Sequence, residues 1–99
     1  PMPAARTPRK RRRSRSARQL AATAQKQLLQ GDIPAAMQTL RACIAASSRH
    51  APCHRMMGVA YAPQGKTAAS IKSYRRYLEL SPSARDAERI RAMIQKADG

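Results

Sequence analysis

Between Ala17 and Ala97 the apolar residues return every three or four positions, and no run alternates with the period of a half-buried strand. Met37, Leu40, Cys43 and Ile44 fall on one stripe when each residue turns the chain by about 100°. Ile71, Tyr74, Tyr77 and Leu78 form a second stripe of the same kind, and Ala87, Ile90, Met93, Ile94 and Ala97 a third. The helices that carry them are punctuated at Gln30-Gly31-Asp32 and at Pro63-Gln64-Gly65. Each glycine can supply the left-handed residue that ends a helix. Asp32 can cap the helix that follows, and Pro34 suits its first turn. Pro63 has no N–H to donate, so the helix before it should end or bend by Tyr61 or Ala62. For the last helix, Ser83 or Asp86 is the expected cap, with Glu88 in the first turn. The expected fold is all-α, with five helices.

The pattern is written twice. Shifted by 34 residues, segment 17–50 aligns with segment 51–84 without a gap. Ala17 meets Ala51, Gln30-Gly31 meets Gln64-Gly65, Ala35 meets Ala69, Arg41 meets Arg75 and Ser47 meets Ser81. Ala24 pairs with Gly58, Leu40 with Tyr74, and Cys43 with Tyr77. Small residues at 24 and 58 fit a place where the two helices of a hairpin cross closely.

The period, with G-V-A-Y at 58–61, Gly65 and Y-L-E-L-S-P at 77–82, resembles the tetratricopeptide repeat. Gly58, Tyr61, Gly65, Tyr74, Leu78 and Pro82 match the family pattern in the second unit. Ala24, Gly31, Ala36, Leu40 and Ile44 match it in the first. Leu20 and His54 depart from it where an aromatic is usual, Ser48 replaces the closing proline, and Tyr77 stands where a small residue is normal. The resemblance implies a superhelix of two hairpins, 17–50 and 51–84, closed by a capping helix at 85–97. It also implies a concave groove lined by the first helix of each unit, in which the family binds extended or helical peptides. Carried over by position, that groove offers Arg18, Ala21, Gln25 and Leu28, then Pro52, Arg55, Val59 and Ala62, then Asp86, Arg89 and Met93. The residues expected to bind are Arg18, Gln25, Leu28, Arg55, Val59, Arg89 and Met93. Arg55 and Arg89 are one period apart, so they should lie side by side and suit a carboxylate or phosphate. Ala21 and Val59 occupy positions where some members carry a Lys and Asn carboxylate clamp, which argues against that tail specificity. A basic linker followed by a short repeat tail is similar to the end of some bacterial serine/threonine kinases. That implies a regulatory or scaffolding role in signalling.

Charge adds a separate feature. The chain has 20 basic and 5 acidic residues, a formal charge of +15, and eight of the basic residues fall within the first eighteen positions. The balance implies an acidic partner. Residues 1–16, PMPAARTPRKRRRSRS, lack an apolar period, and the run from Arg9 to Arg13 should repel itself and stay extended as a disordered arm or linker. Arg9, Lys10, Arg11, Arg12, Arg13 and Arg15 are the candidate contacts to nucleic acid or anionic lipid, the main alternative to a protein-binding role. The arm also fits a localisation signal. Ser14 and Ser16 follow arginines and are candidate phosphorylation sites.

The remaining chemistry is sparse. Cys43, Cys53, His50 and His54 lie close in sequence, but their spacing matches no paired-ligand zinc motif, so no metal is expected. A disulfide stays open on the count alone, although a basic chain without a signal peptide fits a reducing cytoplasm. No nucleophile has a base at a useful spacing, the five acids form no paired set, and Gly65-Lys66-Thr67 lacks the preceding glycine of a P-loop. Neither enzymatic activity nor a cofactor is expected, and no apolar stretch reaches the ~20 residues of a membrane span. A first residue of Pro fits a piece of a longer chain, and so small a domain is expected to be marginal alone and to gain from self-association.

Overall fold

The computed structural model describes residues 9–98, with side chains from residue 12 onward. It contains five α-helices: α1 (Arg9–Leu29), α2 (Ile33–Ala46), α3 (Ala51–Tyr61), α4 (Thr67–Leu80) and α5 (Ala87–Asp98). The described residues include no strand. α1 and α2 form one hairpin and α3 and α4 a second, with α3 packed on both helices of the first and α5 on α4.

Local chemistry sets the turns as expected. Gly31 and Gly65 are left-handed at φ 76° and 71°. Asp32 caps α2 by accepting from the Ala35 amide at 3.2 Å, and Pro34 lies in the first turn, where no amide is needed. α3 stops at Tyr61, and a single 3-10 turn, Ala62–Gln64, carries Pro63 into Gly65. The duplication is visible in the elements themselves. Both bounds of α4 are those of α2 displaced by 34 residues, and Ser47 and Ser81, one period apart, close the two helices in the same way.

The N-terminal segment departs from expectation. Residues 9–16, expected to be extended, form the first two turns of α1. Arg and Lys are good helix formers, and the segment from Ala17 onward is already fixed by packing, so each added residue only propagates a helix. Repulsion between exposed like charges costs a few tenths of a kcal/mol per neighbouring pair, too little to stop it. Residues 1–8 of the expected arm lie outside the described residues.

The core has two parts. One gathers Ala17, Ala24, Met37, Leu40, Cys53 and Met56, with their neighbours, where α1, α2 and α3 meet. The other joins Tyr77 to Ile90 and Ile94, with Tyr74 and Ile71 partly buried against them. Within the second hairpin a methyl group built on Gly58 would stand 2.7 Å from the Tyr74 ring, so the ring fills the space the missing side chain leaves. Beside it, buried Ser70 donates to the Gly58 carbonyl at 2.7 Å.

Candidate functional site

Each hairpin is tied to the helix after it at one junction. At the first, Cys43 of α2 and Cys53 of α3 are joined by a disulfide, with both sulfurs shut off from solvent. The count left this bond open, and the compartment argument weighed against it. The fold brings the pair together because Cys43 faces inward near the end of α2 and Cys53 does so in the first turn of α3. His50, at the N-cap of α3, makes no capping bond with its ring. Burial, and then the charges of Arg18 and His54, hold its pKa below the ordinary histidine value. His54 turns aside, its Nε2 2.8 Å from the Ser48 carbonyl oxygen.

At the second junction the link is polar. The Tyr77 hydroxyl donates to Asp86 Oδ1 at 2.6 Å, and Arg55 Nε donates to Asp86 Oδ2 at 2.5 Å. The Asp86 side chain is only 12% exposed, so the two donors replace most of its water. The bond from Tyr77, followed by that from Arg55, holds the carboxyl below the usual range. Tyr77 is pushed up, by burial first and then by its bond to Asp86, and Tyr74 is pushed up by burial. Asp86 stands at the cap of α5, its carbonyl accepting from Ile90, but its carboxylate serves the junction instead. Tyr77 is buried at 7% exposure, which excludes it as a surface on which a base could stack.

The face of α1 and α3 carries a recess of about 380 Å³. Gln25, Leu28, Arg55 and Val59, four of the seven residues expected to bind, line it together with Pro52 and Met56. Leu29, beside it and missed by the positional carry-over, is 81% exposed. It follows the family's groove positions by one residue, and the only sequence signal was an apolar side chain just before the turn. The other three expected residues lie elsewhere. Met93 lines a separate recess of about 180 Å³ with Tyr74 and Ile94. Arg18 is exposed near His50, and Arg89 is exposed on α5 and does not line the recess. Arg55, expected to offer an open fork, is held at Nε by Asp86.

A larger hollow of about 900 Å³ opens on the opposite face of α3, beside His54, Met57 and Tyr61. Its charged wall is largely self-satisfied, because Arg75 pairs with Asp98 and Arg76 with Glu79. The smaller recess is the better candidate, since it combines exposed apolar side chains with a fixed guanidinium. Of the basic residues expected to contact polyanions, Arg12, Arg13 and Arg15 are exposed on the first turns of α1. Arg9, Lys10 and Arg11 belong to the same helix, and their side chains lie outside the described set. Among the described residues no helix is long and apolar enough to cross a membrane. No family model matches the chain, and comparison with curated proteins and with solved structures gives no match.

Proposed function

We propose that this chain is a non-enzymatic protein-interaction module of tetratricopeptide type, whose α1–α3 face takes an extended acidic peptide. The observation that carries the reading is the convergence of Gln25, Leu28, Arg55 and Val59, from two helices one period apart, on one recess. An apolar side chain of the peptide sits against Leu28, Met56 and Val59. A neighbouring carboxylate meets the outer nitrogens of Arg55, which Asp86 holds in place, and the charge of +15 favours the encounter. A regulatory or scaffolding place in a larger cytoplasmic signalling protein follows from the same resemblance.

The test uses the full chain and a set of extended peptides that vary independently in acidic and apolar content. Peptides with both features are expected to bind best. Val59→Asp should weaken them at least tenfold, or about 1.4 kcal/mol, with helicity unchanged. Equal binding by wild type and Val59→Asp would reject the recess. Arg55→Ala is a poorer probe, because it also strips Asp86 of a partner.

The helical course of Arg12, Arg13 and Arg15 supports a second reading, in which this exposed basic helix contacts nucleic acid. Such binding should fall steeply with salt and vanish when residues 1–16 are removed, whereas peptide capture by the recess should survive.

A further inference from the structure

The first junction holds more chemistry than a disulfide needs. One ligand atom each from Cys43, His50 and Cys53 lies within 4.8 Å of the other two. The His50 ring is not spent on capping, and His54, the other nearby imidazole, is engaged by the Ser48 carbonyl. Three of the four donors that the sequence offers therefore converge on one point between α2 and α3.

We propose that the reduced cysteine pair and His50 form a Cys2His site for zinc, so that the junction closed by a disulfide under oxidising conditions is closed by metal under reducing ones. The exchange balances. Two equivalents of a small thiol reduce the bridge to two cysteine thiols and leave as its disulfide. Zn²⁺ then takes both sulfurs as thiolates and releases two protons to solvent, while His50 donates a neutral ring nitrogen. Water completes the tetrahedron.

Zinc bound at about 2.3 Å to sulfur places its ligand atoms roughly 3.8 Å apart. Once the bond is opened, side-chain rotation across the 6.5 Å Cα–Cα spacing reaches that separation. Two thiolates and an imidazole suit zinc far better than calcium or magnesium. The two thiolates cancel the metal's charge, which suits a site shut off from solvent. The site owes nothing to the α1–α3 recess, and it stands or falls apart from peptide binding.

The experiment reduces the full chain with a phosphine, removes the reductant without air, and titrates Zn²⁺ against a chromophoric chelator, with Co²⁺ as the spectroscopic substitute. The expected result is one metal per reduced chain and none on the oxidised chain. Co²⁺ should give a thiolate charge-transfer band and tetrahedral visible bands. His50→Ala should weaken zinc by roughly tenfold or more, and His54→Ala should leave it unchanged. The oxidised form of His50→Ala keeps its bridge, so its circular dichroism separates a lost ligand from a lost fold. The proposal is overturned if the reduced chain binds zinc no better than Cys43→Ser/Cys53→Ser, or if His50→Ala binds as the wild type does.

Discussion

Cys43 and Tyr77 occupy the same position in the two hairpins, one period apart, and each ties its hairpin to the next helix by different chemistry. Cys43 makes a covalent bond to α3, whereas Tyr77 gives a hydrogen bond to the carboxylate that opens α5. One register thus supplies a contact point, and the side chain placed there decides how strong and how reversible the link is. The hairpin interiors differ in the same compensating manner. Ala24 and Leu40 in the first correspond to Gly58 and Tyr74 in the second, so a larger residue on the second helix accompanies a smaller one on the first. Similar space is filled by two partitions of volume.

The largest expected effect comes from removing the covalent link. Reduction with zinc chelated, or Cys43→Ala with Cys53→Ala, should cost about 2–4 kcal/mol in urea denaturation. Hydrogen exchange should rise where α2 meets α3 and stay unchanged where α4 meets α5. Uniform loosening of both junctions would erase the distinction between them.

Gly58→Ala comes next. The added methyl meets the Tyr74 ring at 2.7 Å, which costs about 1–3 kcal/mol, offset by at most about 1 kcal/mol of improved helix propensity. A net loss of roughly 1–2 kcal/mol in denaturation midpoints is expected, and a stabilised variant would show that the ring does not rest there.

Tyr77→Phe probes the polar link more gently, at about 1 kcal/mol, because Asp86 keeps Arg55 as its second partner. The smallest effect is read from pH. Asp86 has a depressed pKa in the folded chain, so its contribution is present above the ordinary carboxylate value of about 4 and is lost as pH falls below it. His50 is also depressed, so a separate loss begins as pH falls through about 6.5. Tyr77→Phe should flatten the lower step of the stability profile and leave the upper one in place.

The features legible in the sequence are those fixed by local chemistry. Gly31, Gly65, Asp32 and Pro63 set their turns with residues a few positions away, and the 34-residue shift carried Tyr74 and Tyr77 to their places in or against the core. The positions carried over from the resembling family also included Gln25, Leu28, Arg55 and Val59, which line one recess. Links between distant segments were not legible. The partnership of Asp86 with Arg55 spans 31 residues and depends on how α5 docks, so Asp86 read only as a groove residue or a cap. The bridge required Cys43 and Cys53 to face each other across α2 and α3, which their spacing alone does not impose. At residues 9–16 a correct reading of repulsion missed the competing propagation of a packed helix.

The register equivalence of the two hairpins is tested most directly by a double-mutant cycle on Gly58→Ala and Tyr74→Leu, which installs the Ala–Leu pair of the first hairpin in the second. Tyr74→Leu should relieve the clash introduced by Gly58→Ala, giving a favourable coupling of about 1 kcal/mol or more. Strictly additive losses would contradict the account, because they would mean that residues 58 and 74 do not share the space that residues 24 and 40 share in the first hairpin.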